Sequence, residues 1–285
     1  MEVDDDGEMF CPEEIYSLTQ ESLFESPFFK KEENNSYGHF SSVIKEIKDG
    51  NDGVHLVKIR PLFFYLSGVL SNISRVLSGS GTRKILDNRR WRRREISCMQ
   101  AIHPELKINA TPYLNSILVE KIHGKVVYDV LRDDKLVDDV KKDVIIKMAE
   151  GLKEIHDKDL YHGEPNTQNC ILSDDDDELY WIDFEIEYFE HLSLKEKKAK
   201  DLEQLILSVL GAFEEENTIN MDDFEIIDLI FNRYNDDEIK NVFLKTHTLP
   251  SITPLRVYQL SFSSTLRFYE CQLKLLEYID KKHGI

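Results

Sequence analysis

Apolar residues follow two periodicities along this chain, and the change between them divides it. From Tyr37 to Arg60, short apolar runs alternate with polar residues and are broken by Asp-Gly and Asn-Asp-Gly turns. Ser42–Ile44, Lys45–Ile47 and Val54–Ile59 are therefore predicted as three short strands. Later stretches repeat at helical spacing. Trp91, Ile96, Met99 and Ile102 form one stripe; Ile145, Met148, Ala149, Leu152 and Ile155 form a second, within 142–156. Leu202, Leu205, Ile206, Val209, Leu210 and Phe213 form a third, in a helix predicted to open at Asp201. Between the second and third stripes lies Tyr161–Glu185. It reads as a polar loop and then a β-hairpin, with Cys170–Leu172 and Tyr180–Ile182 as its arms and Asp174–Asp177 as a solvated tip. Residues 222–282 read as helical, with a last helix over 254–281. Residues 1–35 are acidic and weakly patterned, and are expected to form a flexible or loosely docked extension.

Composition narrows the function classes. The 285 residues carry 54 acidic and 36 basic side chains, a net charge of −18, which argues against a nucleic-acid binder that relies on overall charge. Four cysteines, Cys11, Cys98, Cys170 and Cys271, are scattered with no CxxC pair. They read as free thiols of a reducing compartment rather than zinc ligands. The first ten residues are acidic and lack the apolar centre of a secretory signal. Leu62–Leu70, the longest apolar stretch, falls well short of the roughly 20 residues that cross a bilayer. A cytoplasmic protein is expected.

The loop and hairpin concentrate the chemistry. Glu164, Asn169 and Asp183 gather carboxylates and an amide at one end of a rigid element. Such hard oxygen donors suit a divalent cation that carries phosphate. His162-Gly163-Glu164, Asn169 and Asp183-Phe184-Glu185 also resemble the catalytic and metal-binding loops of the protein-kinase-like superfamily. They are most similar to its small branches, the lipopolysaccharide core (Kdo/heptose) kinases, the RIO-type kinases and the aminoglycoside-type phosphotransferases. Those share H-G-D-x-x-x-x-N, and Glu164 and Asn169 keep its spacing. Glu164 stands where the family has Asp.

The resemblance extends over about residues 37–215 and implies an α+β, two-lobed protein-kinase-like fold. Its N-lobe would be a small antiparallel sheet with one main helix, over 36–120 with an insertion at 61–88. Its C-lobe, 121–285, would be mostly helical. The cofactors implied are ATP and Mg²⁺ or Mn²⁺, with Asn169 and Asp183 as metal ligands and Glu164 accepting or orienting the proton of the attacking hydroxyl. Gly38 and Val43 match a sparse glycine turn over the phosphates. Lys58 matches the lysine that pairs with the α- and β-phosphates, and Glu95 the helix acid that braces it. Ser78–Gly81 with Lys84 is a competing, lower-ranked glycine turn and lysine. Glu120 to Ile122 is the adenine strip, and Asp201 resembles the aspartate that accepts hydrogen bonds from the catalytic loop. The plainer reading, a helix-starting Asp, is compatible with that role.

The function implied is transfer of the γ-phosphate of ATP to a hydroxyl of a sugar, lipid-linked glycan, small molecule or protein. The alternative is a pseudokinase-like nucleotide-binding or scaffold protein with little turnover. No nucleic acid is expected as partner. The aromatic run at 62–66 and the basic residues Arg75, Arg83, Lys84, Arg89, Arg90 and Arg92–Arg94 read either as a packed helix with a solvated face or as a peripheral membrane contact through 62–94, at the inner face.

Overall fold

Residues 42–48, 54–61, 63–77, 80–213, 219–246 and 265–283 are described by the computed structural model. Gly38, the 1–35 extension, Cys11 and the first part of the predicted last helix fall outside them. The chain falls into two compact units. One holds residues up to 71 together with 85–121, the other 72–84 together with 122 onward, so the 61–88 insertion is shared between them.

In the first unit, β1 (Val43–Lys48) pairs antiparallel with β2 (Val54–Ile59), from Val43 opposite Ile59 to Lys48 opposite Val54. Residues 42–48 thus form one continuous strand rather than two, because no turn residue interrupts Ile44-Lys45-Glu46. β4 (Ile108–Ala110) and β5 (Ser116–Glu120) complete a sheet of order β1-β2-β5-β4. Strand alternation sends Val57 and Ile59 to one face, where they pack with Ile47 and Leu118. Lys58, between them, points to the opposite face. That face also carries Ile117, which packs with Ile85 and the fully buried Trp91. Trp91 belongs to α2 (Asn88–Ile102), whose first turn is capped by the Asp87 side chain accepting from the Arg90 N–H. α1 (Phe63–Leu77) precedes it in sequence. The buried Arg60 guanidinium lies over the Phe64 and Trp91 rings, 4.2 and 4.1 Å from their centroids, and donates to the Ile85 carbonyl.

The second unit is mostly helical. β6 (Gly124–Val126), β7 (Cys170–Ser173) and β8 (Leu179–Trp181) form a three-stranded antiparallel sheet. β3 (Thr82–Lys84) pairs with β9 (Ile186–Tyr188). The helices are α3 (Val127–Arg132), α4 (Asp138–Asp157), α5 (Leu194–Ala212), α6 (Asp223–Tyr234), α7 (Asp237–Thr246) and α8 (Thr265–His283). α5 is central, with α4, α7 and α8 packed on it and every residue from Asp201 to Ala212 buried. It opens at Ser193, where Ser193 and Glu196 form a reciprocal capping box. Asp201 is therefore two turns inside the helix, which corrects the reading of it as a helix start.

The described residues have the α+β class and the kinase-like fold expected, with a small antiparallel sheet and main helix in one unit and a helical second unit. Among them, no helix is long and apolar enough to cross a membrane.

Candidate active site

The loop over 162–169 is held by one carboxylate. Asp201 is fully buried, and each of its oxygens meets two partners. Oδ2 accepts from the His162 N–H at 2.7 Å and lies 3.1 Å from His156 Nε2. Oδ1 accepts from the Gly163 N–H at 2.9 Å and the Tyr188 hydroxyl at 2.8 Å. A buried carboxylate without such donors would be costly, so the loop and Asp201 require each other. His156 is itself oriented by the Tyr234 hydroxyl, 2.6 Å from Nδ1, and burial pushes the Tyr234 phenol well above its ordinary pKa. Gly163 has φ +93°, and a Cβ there would meet the Ile186 carbonyl oxygen at 2.4 Å. The loop crosses β9 where only glycine fits.

His162 is buried beneath the loop, 4.4 Å from the Phe184 ring and 5.2 Å from Trp181 by centroids. Its Nδ1 accepts from the Glu164 N–H at 3.3 Å. The next turn is made by Asn166, whose Oδ1 accepts from the N–H groups of Gln168 and Asn169. Burial raises the Cys170 thiol pKa well above its ordinary value, so this neighbour of Asn169 is a packing group.

Asn169 and Asp183 stand at the open end of the β7–β8 hairpin. Cys170 is opposite Trp181, and the Ile182 N–H donates to the Asn169 carbonyl at 3.0 Å, which extends the ladder to the position before Asp183. The Asn169 Nδ2 donates to the Glu164 carbonyl at 2.9 Å. That commitment leaves Oδ1 as the amide atom suited to a cation. Asp183 has φ +69°, a left-handed turn that is strained for a residue with a side chain, and such turns concentrate at functional sites. Among the described residues no group of three or more His, Cys, Asp or Glu could hold a metal by itself. An amide oxygen and a carboxylate nevertheless fit Mg²⁺, which is usually held by one or two protein oxygens, with phosphates and water supplying the rest.

The first unit carries the other expected pair. Lys58 Nζ on β2 lies 2.7 Å from Glu95 Oε1 on α2, with both side chains largely buried. Val43 stands on β1 opposite Ile59. At the end of β5, the Glu120 N–H donates to the Lys107 carbonyl and the Lys121 N–H to the Val54 carbonyl. Ile122 follows two residues after the end of β5.

Several site-shaping residues escape sequence reasoning. Arg75, near the end of α1, donates from Nη2 to Glu164 Oε1 at 2.7 Å, and its side chain is only 3% exposed. Lys84 pairs with Glu185, and Arg83 donates to Glu187 Oε1 at 2.7 Å. Arg92 donates to the carbonyls of Thr111 and Tyr113. At least four of the eight basic side chains considered for a membrane face thus serve internal partners. Lys84 does so against Glu185, whereas Lys58 meets the helix acid. The one available signal is charge: three glutamates within 164–187, and three basic residues within 75–84 to answer them.

A family model described as the lipopolysaccharide kinase (Kdo/WaaP) family matches residues 83–228, just over half of the 285 residues. No curated protein matches the chain.

Proposed function

The chain belongs to the lipopolysaccharide kinase (Kdo/WaaP) family, and from that premise we propose that it moves the γ-phosphate of ATP to a hydroxyl of a Kdo- or heptose-type sugar. The observation that carries this reading is the grip of Asp201 on His162 and Gly163, which presents Glu164 beside Asn169 and the hairpin end. Phosphoryl transfer asks a protein mainly for position and charge neutralisation. Asn169 and Asp183 are the proposed ligands of Mg²⁺ or Mn²⁺, which when bound neutralises the phosphate oxygens. Lys58, braced by Glu95, is the proposed partner of the α- and β-phosphates. Glu164 is the proposed acceptor of the hydroxyl proton, and the backbone of 120–122 the adenine strip.

A peripheral membrane contact is proposed for α1. Leu66, Leu70, Ile73 and Val76 on this helix are each more than half exposed, and Arg89, Arg90 and Arg93 remain exposed on α2. The second functional reading, a nucleotide-binding scaffold with little turnover, draws on the ion pair that engages Glu164. Incubation with γ-labelled ATP, Mg²⁺ and free Kdo or heptose separates the two. Label on the sugar supports the kinase. ATP binding with label on neither sugar and no ADP formed supports the scaffold.

A further inference from the structure

Glu164 departs from the family's Asp, and its carboxylate is met by a cation from outside the matched region, which begins at residue 83. Arg75 is fixed on both arms of its guanidinium. Nη2 donates to Glu164 Oε1 at 2.7 Å, and Nη1 to the Thr82 hydroxyl at 3.0 Å. The Ser80 hydroxyl donates to the Arg75 carbonyl and lies 2.9 Å from the Thr82 oxygen. Asn72 clasps Lys84 in both directions, accepting from its N–H and donating to its carbonyl. Lys84 and Arg83 then pair with Glu185 and Glu187, which follow Asp183. Residues 72–77 are thus tied to the catalytic loop, and 80–84 to the strand leaving the proposed metal-binding turn.

A guanidinium and a carboxylate buried this deeply lose much hydration, and a well-packed apolar pair would serve stability as well. The geometry instead suits orientation. Arg75 holds Oε1, while Oε2 of Glu164 has no hydrogen-bond partner among the described residues, and the side chain stays 12% exposed. A base held by a third group, with one face left open, is the arrangement that activates a nucleophile. An Asp here would end about 1.5 Å short, the length of one C–C bond, beyond hydrogen-bond reach of Arg75.

We propose that Arg75 is a positioning residue. It clamps one oxygen of Glu164 so that the other faces the acceptor hydroxyl, and the longer glutamate is matched to that clamp. The inference rests on the phosphotransferase reading. In the step served, the hydroxyl O–H breaks toward Oε2, the hydroxyl oxygen bonds to the γ-phosphorus, and the bond to the departing ADP oxygen breaks with its electron pair.

The test uses the full chain with Mg·ATP and Kdo, reading ADP release and label transfer. Glu164→Asp is expected to lower kcat by about tenfold or more while KM for ATP moves less than about threefold, since displacement of about an ångström can cost about 100-fold. Arg75→Met is expected to do the same, and Arg75→Lys to recover part of the rate, because charge returns without the planar fork. Arg75→Met/Glu164→Gln removes both charges and is expected to restore any loss of Tm but not the rate. Glu164→Asp at or above wild-type turnover would overturn the clamp, as would Arg75→Met with an unchanged or higher kcat, and Glu164→Asp decides alone if Arg75→Met does not fold. Wild-type protein that binds Mg·ATP without turnover would overturn the phosphotransferase reading and the clamp together. Wild-type turnover with an indifferent Arg75 overturns the clamp only.

Discussion

Replacing Asp201 with Asn changes one atom at the point where the loop over 162–169 is held. The carboxylate serves four donors, two on each oxygen. Asparagine keeps one acceptor oxygen and turns an NH₂ toward the other pair, where the Tyr188 hydroxyl or the His156 ring can reorient to accept but the backbone N–H of Gly163 or His162 loses its partner. Such a loss costs about 1–3 kcal/mol. Against a typical stability of about 5–15 kcal/mol this is a large fraction. At about 2–4 °C per kcal/mol for a unit of this size, Tm should fall by about 6 °C. Differential scanning calorimetry measures the shift. Hydrogen exchange at the His162 and Gly163 amides localises it, because these two N–H groups should lose protection first. A Tm within about 2 °C of wild type, with both amides equally protected, would refute Asp201 as the anchor.

Other outcomes follow from the same structure. Gly163→Ala forces a Cβ against the Ile186 carbonyl at φ +93° and should destabilise the fold by about 2 kcal/mol or more, read as a lower denaturant midpoint. Lys58→Met takes the ammonium from the buried Glu95 carboxylate and should cost about 3–5 kcal/mol, largely recovered in Lys58→Met/Glu95→Gln, while both variants bind ATP more weakly. Burial raises the Cys98 and Cys170 thiols, so both should resist iodoacetamide in the native protein through about pH 9 and react quickly once denaturant opens the fold.

The parts legible in the sequence are those whose cause is local. The loop and hairpin of 161–185 can be read because glycine, acids and amides punctuate two short apolar runs. The helix over 142–156 can be read because its stripe spans about three turns. The start of α5 is also there to be read, since Ser193 and Glu196 fit a capping box, but the stronger stripe from Leu202 draws the boundary to Asp201. What escapes is long-range. Arg75 and Glu164 are 89 positions apart, and the β3–β9 pair joins two strands of three residues each, too short for any periodicity to show. In the sequence His156 is one more residue of an amphipathic helix, and only the folded chain shows it between Tyr234 and Asp201.

The proposed function depends on Asn169 and Asp183 presenting a divalent cation to the phosphates of a nucleotide. Equilibrium binding of ATP with and without Mg²⁺, repeated on Asp183→Asn, tests it most directly. Mg²⁺ is expected to tighten ATP binding to the wild-type chain by about tenfold or more, and Asp183→Asn to abolish this gain while leaving metal-free binding nearly unchanged. An ATP affinity indifferent to Mg²⁺, or a gain that survives the loss of the Asp183 carboxylate, would contradict it.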